Sequence, residues 1–186
     1  MGKNFLMAGF GGQGVLLMGE ILAKAALLEN KGVSWLPAYG PEMRGGTANC
    51  AVVIEEEGEV VSPLVFEPEV LVAFNKPSYL KFLPRTVPGG IVIVNSDLVD
   101  VELSGPVKQV FLPANQACLE LGSMKAVNIY LLGALIALTS IVKTETISGV
   151  LKEIFGPKGV YPLNEKAFWR GYEDAGKRAN HVETVN

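Results

Sequence analysis

Apolar residues recur along this chain in two rhythms. Short continuous apolar runs bounded by Gly, Pro or Asn alternate with longer stretches whose apolar positions return every three or four residues. The first rhythm belongs to strands buried on both faces, the second to helices with an apolar stripe. Residues 4–8 read as a first buried strand. Residues 15–30 read as a helix with a wide apolar face, with Glu20 and Lys24 at i,i+4 on its polar side. Gly32 is placed to cap that helix. Residues 33–36, closed by Pro37, form a second strand, and the whole unit has the length of a right-handed βαβ crossover. Residues 47–54 and 59–61 flank Glu55-Glu56-Glu57-Gly58 and read as a β-hairpin with a solvated acidic tip. Further strands are expected at 70–74, 91–94 and 107–112. Helices are expected at 76–83 (capped by Asn75, with Pro77 in the first turn), 114–121, 123–142 and 145–155, and from Asn164 as a cap to about Arg178. Strands alternating with helices predict an α/β fold: a Rossmann-like, mostly parallel sheet flanked by helices, with an appended β-hairpin. No repeat or linker divides the chain, so residues 1–186 read as a single domain.

Composition narrows the function classes. Apolar residues make up 49% of the chain, charged residues 19%, and mean hydropathy is +0.31. Such a chain has either an amply filled core or a partly obligate interface. The net charge of −3, without a basic run, argues against nucleic acid as a partner. Met1-Gly2-Lys3-Asn4-Phe5 runs straight into a strand with no signal-peptide layout. The longest apolar run, 129–142, includes Thr139 and Ser140 and is too short to span a bilayer. A cytoplasmic chain without membrane contact is expected. Cys50 and Cys118 form no CxxC, and His181 is the only histidine. No metal site, histidine triad or iron–sulfur ligand set is expected, so any electron-carrying cluster would sit on another chain.

Two glycine loops carry the candidate chemistry. Gly9, Gly11 and Gly14 have the GxGxxG spacing between a strand and a helix, where backbone N–H groups can approach a ligand. A dinucleotide site also wants an acidic residue about 20 positions on, at the end of the second strand. Trp35-Leu36-Pro37-Ala38 offers none, and Val15 stands where a P-loop requires Lys. Three readings stay open: an incomplete NAD(P) or flavin site, glycines that only permit tight strand–helix packing, and a loop that meets a partner subunit or another cofactor. In the second loop, Gly40-Pro41 and Gly45-Gly46 bracket Glu42, Met43 and Arg44. Arg44 offers a planar fork for a carboxylate or phosphate, or it pairs locally with Glu42 on a solvated turn.

Taken with Lys125-Ala126-Val127-Asn128, Leu132-Gly133-Ala134 and Asn164-Glu165-Lys166-Ala167-Phe168, these motifs resemble the gamma subunit of 2-oxoacid:ferredoxin (acceptor) oxidoreductases. The resemblance runs in order from about residue 4 to 175. It implies a subunit, inactive alone, of an enzyme that oxidatively decarboxylates a 2-oxoacid to an acyl-CoA. Thiamine diphosphate and the iron–sulfur clusters would be held by alpha and beta subunits and an iron–sulfur subunit or ferredoxin, with coenzyme A bound in the assembled complex. The implied contribution of this chain is a wall of the active-site and coenzyme A cleft, and none of its residues is assigned a bond-making role. The residues implied for that wall are Gly9, Gly11, Gly12, Gln13 and Gly14, then Gly40, Pro41, Glu42, Arg44, Gly45 and Gly46, with Asn128. Gly11, Gly12 and Gln13 would present backbone and amide donors to the cleft. Asn128 would add a fixed amide there or serve the core. Among substrates, 2-oxoglutarate is favoured. The competing readings are a stand-alone NAD(P)- or flavin-binding Rossmann protein and a purely structural scaffold subunit.

Overall fold

The computed structural model describes residues 2–39 and 46–183. The elements run β1 (Lys3–Phe10), α1 (Val15–Leu28), β2 (Gly32–Tyr39), β3 (Thr47–Glu55), β4 (Val70–Ala73), α2 (Lys76–Phe82), β5 (Ile91–Asn95), β6 (Lys108–Leu112), α3 (Ala114–Glu120), α4 (Val127–Thr139), α5 (Thr144–Phe155) and α6 (Tyr161–Glu183). The strands form one six-stranded sheet in the order β2-β3-β1-β4-β5-β6. From β1 through β4 and β5 to β6 every pairing is parallel, while β3 lies antiparallel to both of its neighbours, β1 and β2. The expected α/β architecture with a mostly parallel sheet is therefore the one observed.

The hairpin is where the expectation fails. Residues 59–61 form no strand, and the acidic triplet is not a hairpin tip. The partner of β3 is β2, so the antiparallel pair is made on the other side of β3 in sequence. Burial explains the choice. Ala48, Cys50, Ala51, Val52 and Ile54 of β3 are all buried, as suits a strand flanked on both edges rather than one appended at the margin. The β1–α1–β2 unit is thus split, with β3 seated between its two parallel strands. Nor does β2 stop at Pro37. It continues to Tyr39, because an edge strand tolerates a residue without an N–H.

Alternation along the strands divides the core between two faces. On one face Phe5, Met7, Cys50, Val52, Val72, Phe74 and Ile93 pack under α1, α3, α4, α5 and α6. On the other, Leu6, Ala8, Leu71, Ala73, Val92 and Val94 meet Tyr79 and Phe82 of α2, with Leu83 and Val99. The helix ends differ from expectation in ways that local chemistry explains. Asn30, at φ 59, takes the left-handed position after α1, and Lys31 N–H returns to the Ala26 carbonyl. Gly32 is therefore the first residue of β2 and not the cap. The long helix expected from residue 123 begins as a 3-10 turn (Met124–Ala126), with Ser123 accepting from Lys125 N–H, and ends at Ser140, also left-handed. Asn164 lies inside α6, where its Nδ2 donates to the Val160 carbonyl, so it does not cap that helix. Asn75 does cap α2, its Oδ1 accepting from Ser78 N–H at 3.0 Å.

The tightest helix pair is α4 on α6. A Cβ on Gly133 would collide with the Phe168 carbonyl, and one on Gly171 with the Tyr130 carbonyl. Close approach lets Tyr130 Oη donate to Asp174 Oδ2 at 2.8 Å, beside the Arg170–Asp174 ion pair. Backbone cannot yield as a side-chain tip can. Gly133→Ala is therefore expected to cost about 1–3 kcal/mol, the usual range for overpacking. It should be read as a lowered urea midpoint with an unchanged slope.

Candidate functional site

In an open α/β sheet the natural crevice lies beyond the carboxyl ends of the parallel strands, where successive connections depart in opposite directions. Here that point is between β1 and β4. The chain leaves β1 over the five-helix face and leaves β4 over the α2 face. The glycine loop stands there. Gly12 (φ 95) and Gly14 (φ 77) hold left-handed conformations that favour glycine, and Gly14 precedes α1 directly. Gly9 is needed for room. A Cβ there would crowd Gln13 Oε1, Val15 and Phe74 at 2.7–2.9 Å.

Gln13 has a different task from the one expected. Its side chain folds back, and Oε1 accepts from Phe10 N–H at 2.7 Å and from Asn75 Nδ2 at 2.9 Å. One side-chain oxygen thereby closes its own loop and ties it to the end of β4 across the switch point. Gln13 N–H donates to the Phe10 carbonyl, and Gly11 N–H to the Gly46 carbonyl. The donor array expected from Gly11 and Gln13 is thus corrected: both N–H groups are engaged within the protein. The Gly11–Gly46 bond also joins the first glycine loop to the end of the second. Asn128 belongs to the same edge. It is buried near the start of α4, and its Nδ2 donates to the Gly14 carbonyl at 3.2 Å. It positions the glycine loop against α4. Gly9, Gly11, Gly12, Gln13, Gly14, Gly46 and Asn128 therefore gather at one end of the sheet. Gly40, Pro41, Glu42, Arg44 and Gly45 lie outside the described residues.

Two crevices flank the loop and share Gly12, Gly14 and Leu17. One, of about 280 Å³, also has Asn115, Lys125 and Asn128 on its walls. The other runs past Phe10 and Gly11 to Gly46 and Thr47. Sequence reasoning did not foresee a row of asparagines along this edge. Asn75 follows β4, Asn95 ends β5, and Asn115 follows β6. Asn95 is fully buried, and its Nδ2 donates to Asn115 Oδ1 at 2.9 Å, which orients an amide on the crevice wall. Asn95 Oδ1 is buried without a hydrogen-bond partner among the described residues. The signal was present in the sequence: each of the three strands is followed closely by an Asn, in Phe74-Asn75, Val94-Asn95 and Pro113-Ala114-Asn115.

This arrangement disfavours a dinucleotide. The ribose-binding acid belongs at the end of the strand beside β1, and β3 occupies that slot. The end of β2 lies two strand spacings from β1, about 10 Å, instead of one. The donor set is equally unsuited to an iron–sulfur cluster or a bound metal ion. Burial pushes the Cys50 thiol up to about 12, with the Trp35 indole beside it pulling the other way. Burial likewise pushes Cys118 up to about 12. Both stay protonated at neutral pH, whereas clusters require thiolates. No group of three acidic, Cys or His side chains able to hold a metal ion occurs among the described residues.

Comparison with known proteins gives a consistent result. The family described as "Pyruvate ferredoxin/flavodoxin oxidoreductase" matches residues 4–174. The 2-oxoglutarate synthase subunit KorC of Methanocaldococcus jannaschii is 37% identical over 179 residues, covering 94% of this chain and 95% of that protein. The ketoisovalerate oxidoreductase subunit VorA of Methanothermobacter marburgensis is 47% identical over 132 residues, which are 71% of this chain and 27% of that protein. The match thus spans about a quarter of the length of VorA. Among solved structures, the gamma subunit of a keto/oxoacid ferredoxin oxidoreductase from Geobacter sulfurreducens superposes with a TM-score of 0.82 at 30% identity, covering 93% of this chain and 98% of that one. The 2-oxoglutarate:ferredoxin oxidoreductase of Magnetococcus marinus, with 2-oxoglutarate, coenzyme A and succinyl-CoA bound, superposes with a TM-score of 0.86 at 26% identity. It covers 94% of this chain and 31% of that one.

Two expected outcomes test the site geometry. Gln13→Ala leaves Phe10 N–H and the Asn75 amide without their acceptor, and should cost about 1–3 kcal/mol in urea unfolding. Gln13→Glu, which keeps the acceptor, should cost less. The buried thiols set an alkaline limit. An unfolded thiol ionises near 9, while folded Cys50 holds its proton up to about 12. In that window the unfolded state binds fewer protons, so stability is complete below it and falls as pH rises through it. In Cys50→Ala the alkaline loss, measured relative to each protein's stability at pH 7, should be shallower.

Proposed function

The chain belongs to the pyruvate ferredoxin/flavodoxin oxidoreductase family, and within it we propose that it serves as the gamma subunit of a multisubunit 2-oxoacid:ferredoxin oxidoreductase. The observation that carries this reading is the end-to-end match to KorC and to the solved gamma subunit, each of similar length to this chain. In the assembled enzyme a 2-oxoacid is decarboxylated, its two electrons pass to ferredoxin, and coenzyme A leaves as the acyl thioester. Thiamine diphosphate and the clusters would supply the carbanion and electron chemistry on other subunits; no described donor set here fits a cluster. We place the assembly in the cytoplasm, with alpha and beta subunits and an iron–sulfur subunit or ferredoxin as partners. Among the described residues no helix is long and apolar enough to cross a membrane.

The contribution of this chain is positional. The carboxyl edge of its sheet would wall the active-site cleft and exclude water from reactive intermediates. Gln13, Asn75 and Asn128 hold the glycine loop rigid, so that Gly12 and Gly14 present bare backbone to the cleft. On the crevice wall, Lys125 and the amide that Asn95 orients at Asn115 fit a phosphate or amide of coenzyme A, which supplies the accepting thiol. Arg44, with Glu42 and Gly40-Pro41 before it and Gly45-Gly46 after it, would pair with a coenzyme A phosphate or a partner carboxylate.

We propose 2-oxoglutarate as the substrate, on the strength of the match to KorC along nearly the whole of both chains. A branched-chain 2-oxoacid is the second reading, favoured by the higher identity to VorA over a shorter stretch. The test is coenzyme-A-dependent dye reduction by the reconstituted complex. A kcat/KM for 2-oxoglutarate at least about tenfold above that for 2-oxoisovalerate is expected; the reverse order would replace the first substrate with the second. Arg44→Ala should raise the KM for coenzyme A about tenfold or more at similar kcat, the cost of one charge-assisted hydrogen bond. A pure scaffold would instead show altered assembly at unchanged coenzyme A dependence.

A further inference from the structure

The end of the sheet opposite the glycine loops carries an exposed apolar segment. Between β3 and β4 the chain runs along the amino ends of the parallel strands without helix or strand. Its apolar side chains point outward: Val61 is fully exposed, Phe66 is 68% exposed and Leu64 is 55% exposed. A short apolar stretch in an α/β protein ordinarily goes to the core, and three large apolar side chains exposed within six residues are a cost in isolation. Among the described residues, 59–66 make no backbone–backbone hydrogen bond. Leu64 N–H donates to Ser62 Oγ and the Phe66 carbonyl accepts from Arg85, while the other N–H and C=O groups of the stretch make no hydrogen bond among the described residues, as in an extended peptide that binds by its main chain.

The segment is nevertheless held at both ends. At its exit Glu69 N–H donates to Asn4 Oδ1 at 2.8 Å, and Asn4 N–H donates to Glu69 Oε2 at 2.9 Å. Arg85 Nε donates to the Phe66 carbonyl at 3.0 Å, and Pro68 accepts from Val87 N–H. At its entry Gly58 packs so closely on Gly32 that a Cβ there would not fit. The strap is therefore presented in a fixed place, which lowers the ordering cost of binding. Its charge is one-sided. Residues 46–75 contain six glutamates and no lysine or arginine. Glu57, Glu59 and Glu67, all exposed, bracket the apolar centre.

We propose that this acidic-flanked strap is a docking arm that seats in an apolar groove bordered by Lys and Arg on another subunit of the oxidoreductase. The inference rests on the gamma-subunit reading. Two observations favour a subunit over a second copy of this chain. The strap's acidic flanks would face each other's charge in a pairing of two straps. In VorA and in the Magnetococcus marinus enzyme the matched region is also part of a chain three to four times longer, so this fold occurs there beside further parts of the same chain. The arm lies at the opposite end of the sheet from the crevices, so docking leaves the cleft wall free.

The test measures the affinity of the full chain for the purified remaining subunits, alongside its thermal midpoint and its mass in solution. Wild type binds; failure of wild type to bind would remove the gamma-subunit reading itself. The triple variant Val61→Ser, Leu64→Ser, Phe66→Ser should bind at least about 30-fold more weakly, with a nearly unchanged midpoint because the side chains are exposed. Glu57→Lys with Glu59→Lys should weaken binding and flatten its dependence on salt, and it serves as the decisive variant should the triple variant unfold. Unchanged affinity in a folded triple variant would overturn the docking arm while leaving the subunit assignment intact. A wild-type dimer abolished by the triple variant, at unchanged subunit affinity, would also overturn it and make the occupant a second copy.

Discussion

A strand in the middle of a sheet needs hydrogen-bonding partners on both edges, and β1 meets that need with two strands of opposite direction. On one side β4 runs parallel to it over Phe5–Ala8; on the other β3 runs antiparallel over its whole length. Almost everything distinctive in this molecule follows from that asymmetry. Inserting β3 drives β2 to the margin and lets it carry a proline. It brings Gly46 to the carboxyl end of β1, where its carbonyl takes Gly11 N–H. It also delivers the chain to the amino end of the sheet after Glu55, so that the passage to β4 must run along that end as an exposed strap. The dinucleotide-like glycine spacing survives, but the neighbour that would complete such a site has been replaced.

The glycine loop shows how one sequence pattern can serve a different physical end. In a phosphate cradle the glycines free backbone donors for a ligand. Here two of those donors are turned inward, and Gln13 supplies an acceptor that knits β1, the loop and Asn75 together. The loop is thereby tied by side-chain amides to the end of β4 and to α4. A loop anchored in that way suits the proposed wall. Such a wall would fix the shape of a cleft without contributing a group that makes or breaks a bond.

Much of this could be read from the chain alone. The strands at 70–74 and 91–94 and the capped helix after Asn75 were legible, because each depends on residues a few positions apart. The misread elements depend on partners distant in sequence. Whether residues 47–54 pair forward with 59–61 or backward with 32–39 is decided by what buries Cys50 and Val52, and that is the meeting of β1 with α1. Asn30 replaced Gly32 as the helix stop because Gly32 was required for contact with Gly58, 26 positions on. The alignment of the asparagines at the strand ends went unremarked for the same reason. Each has an ordinary local role, and only the sheet lines them up at one edge.

The two cysteines have a practical implication. Both are buried and hold their protons at neutral pH. A protonated, inaccessible thiol is a poor target for dioxygen and peroxide. Neither cysteine is therefore a ready starting point for air oxidation of this chain.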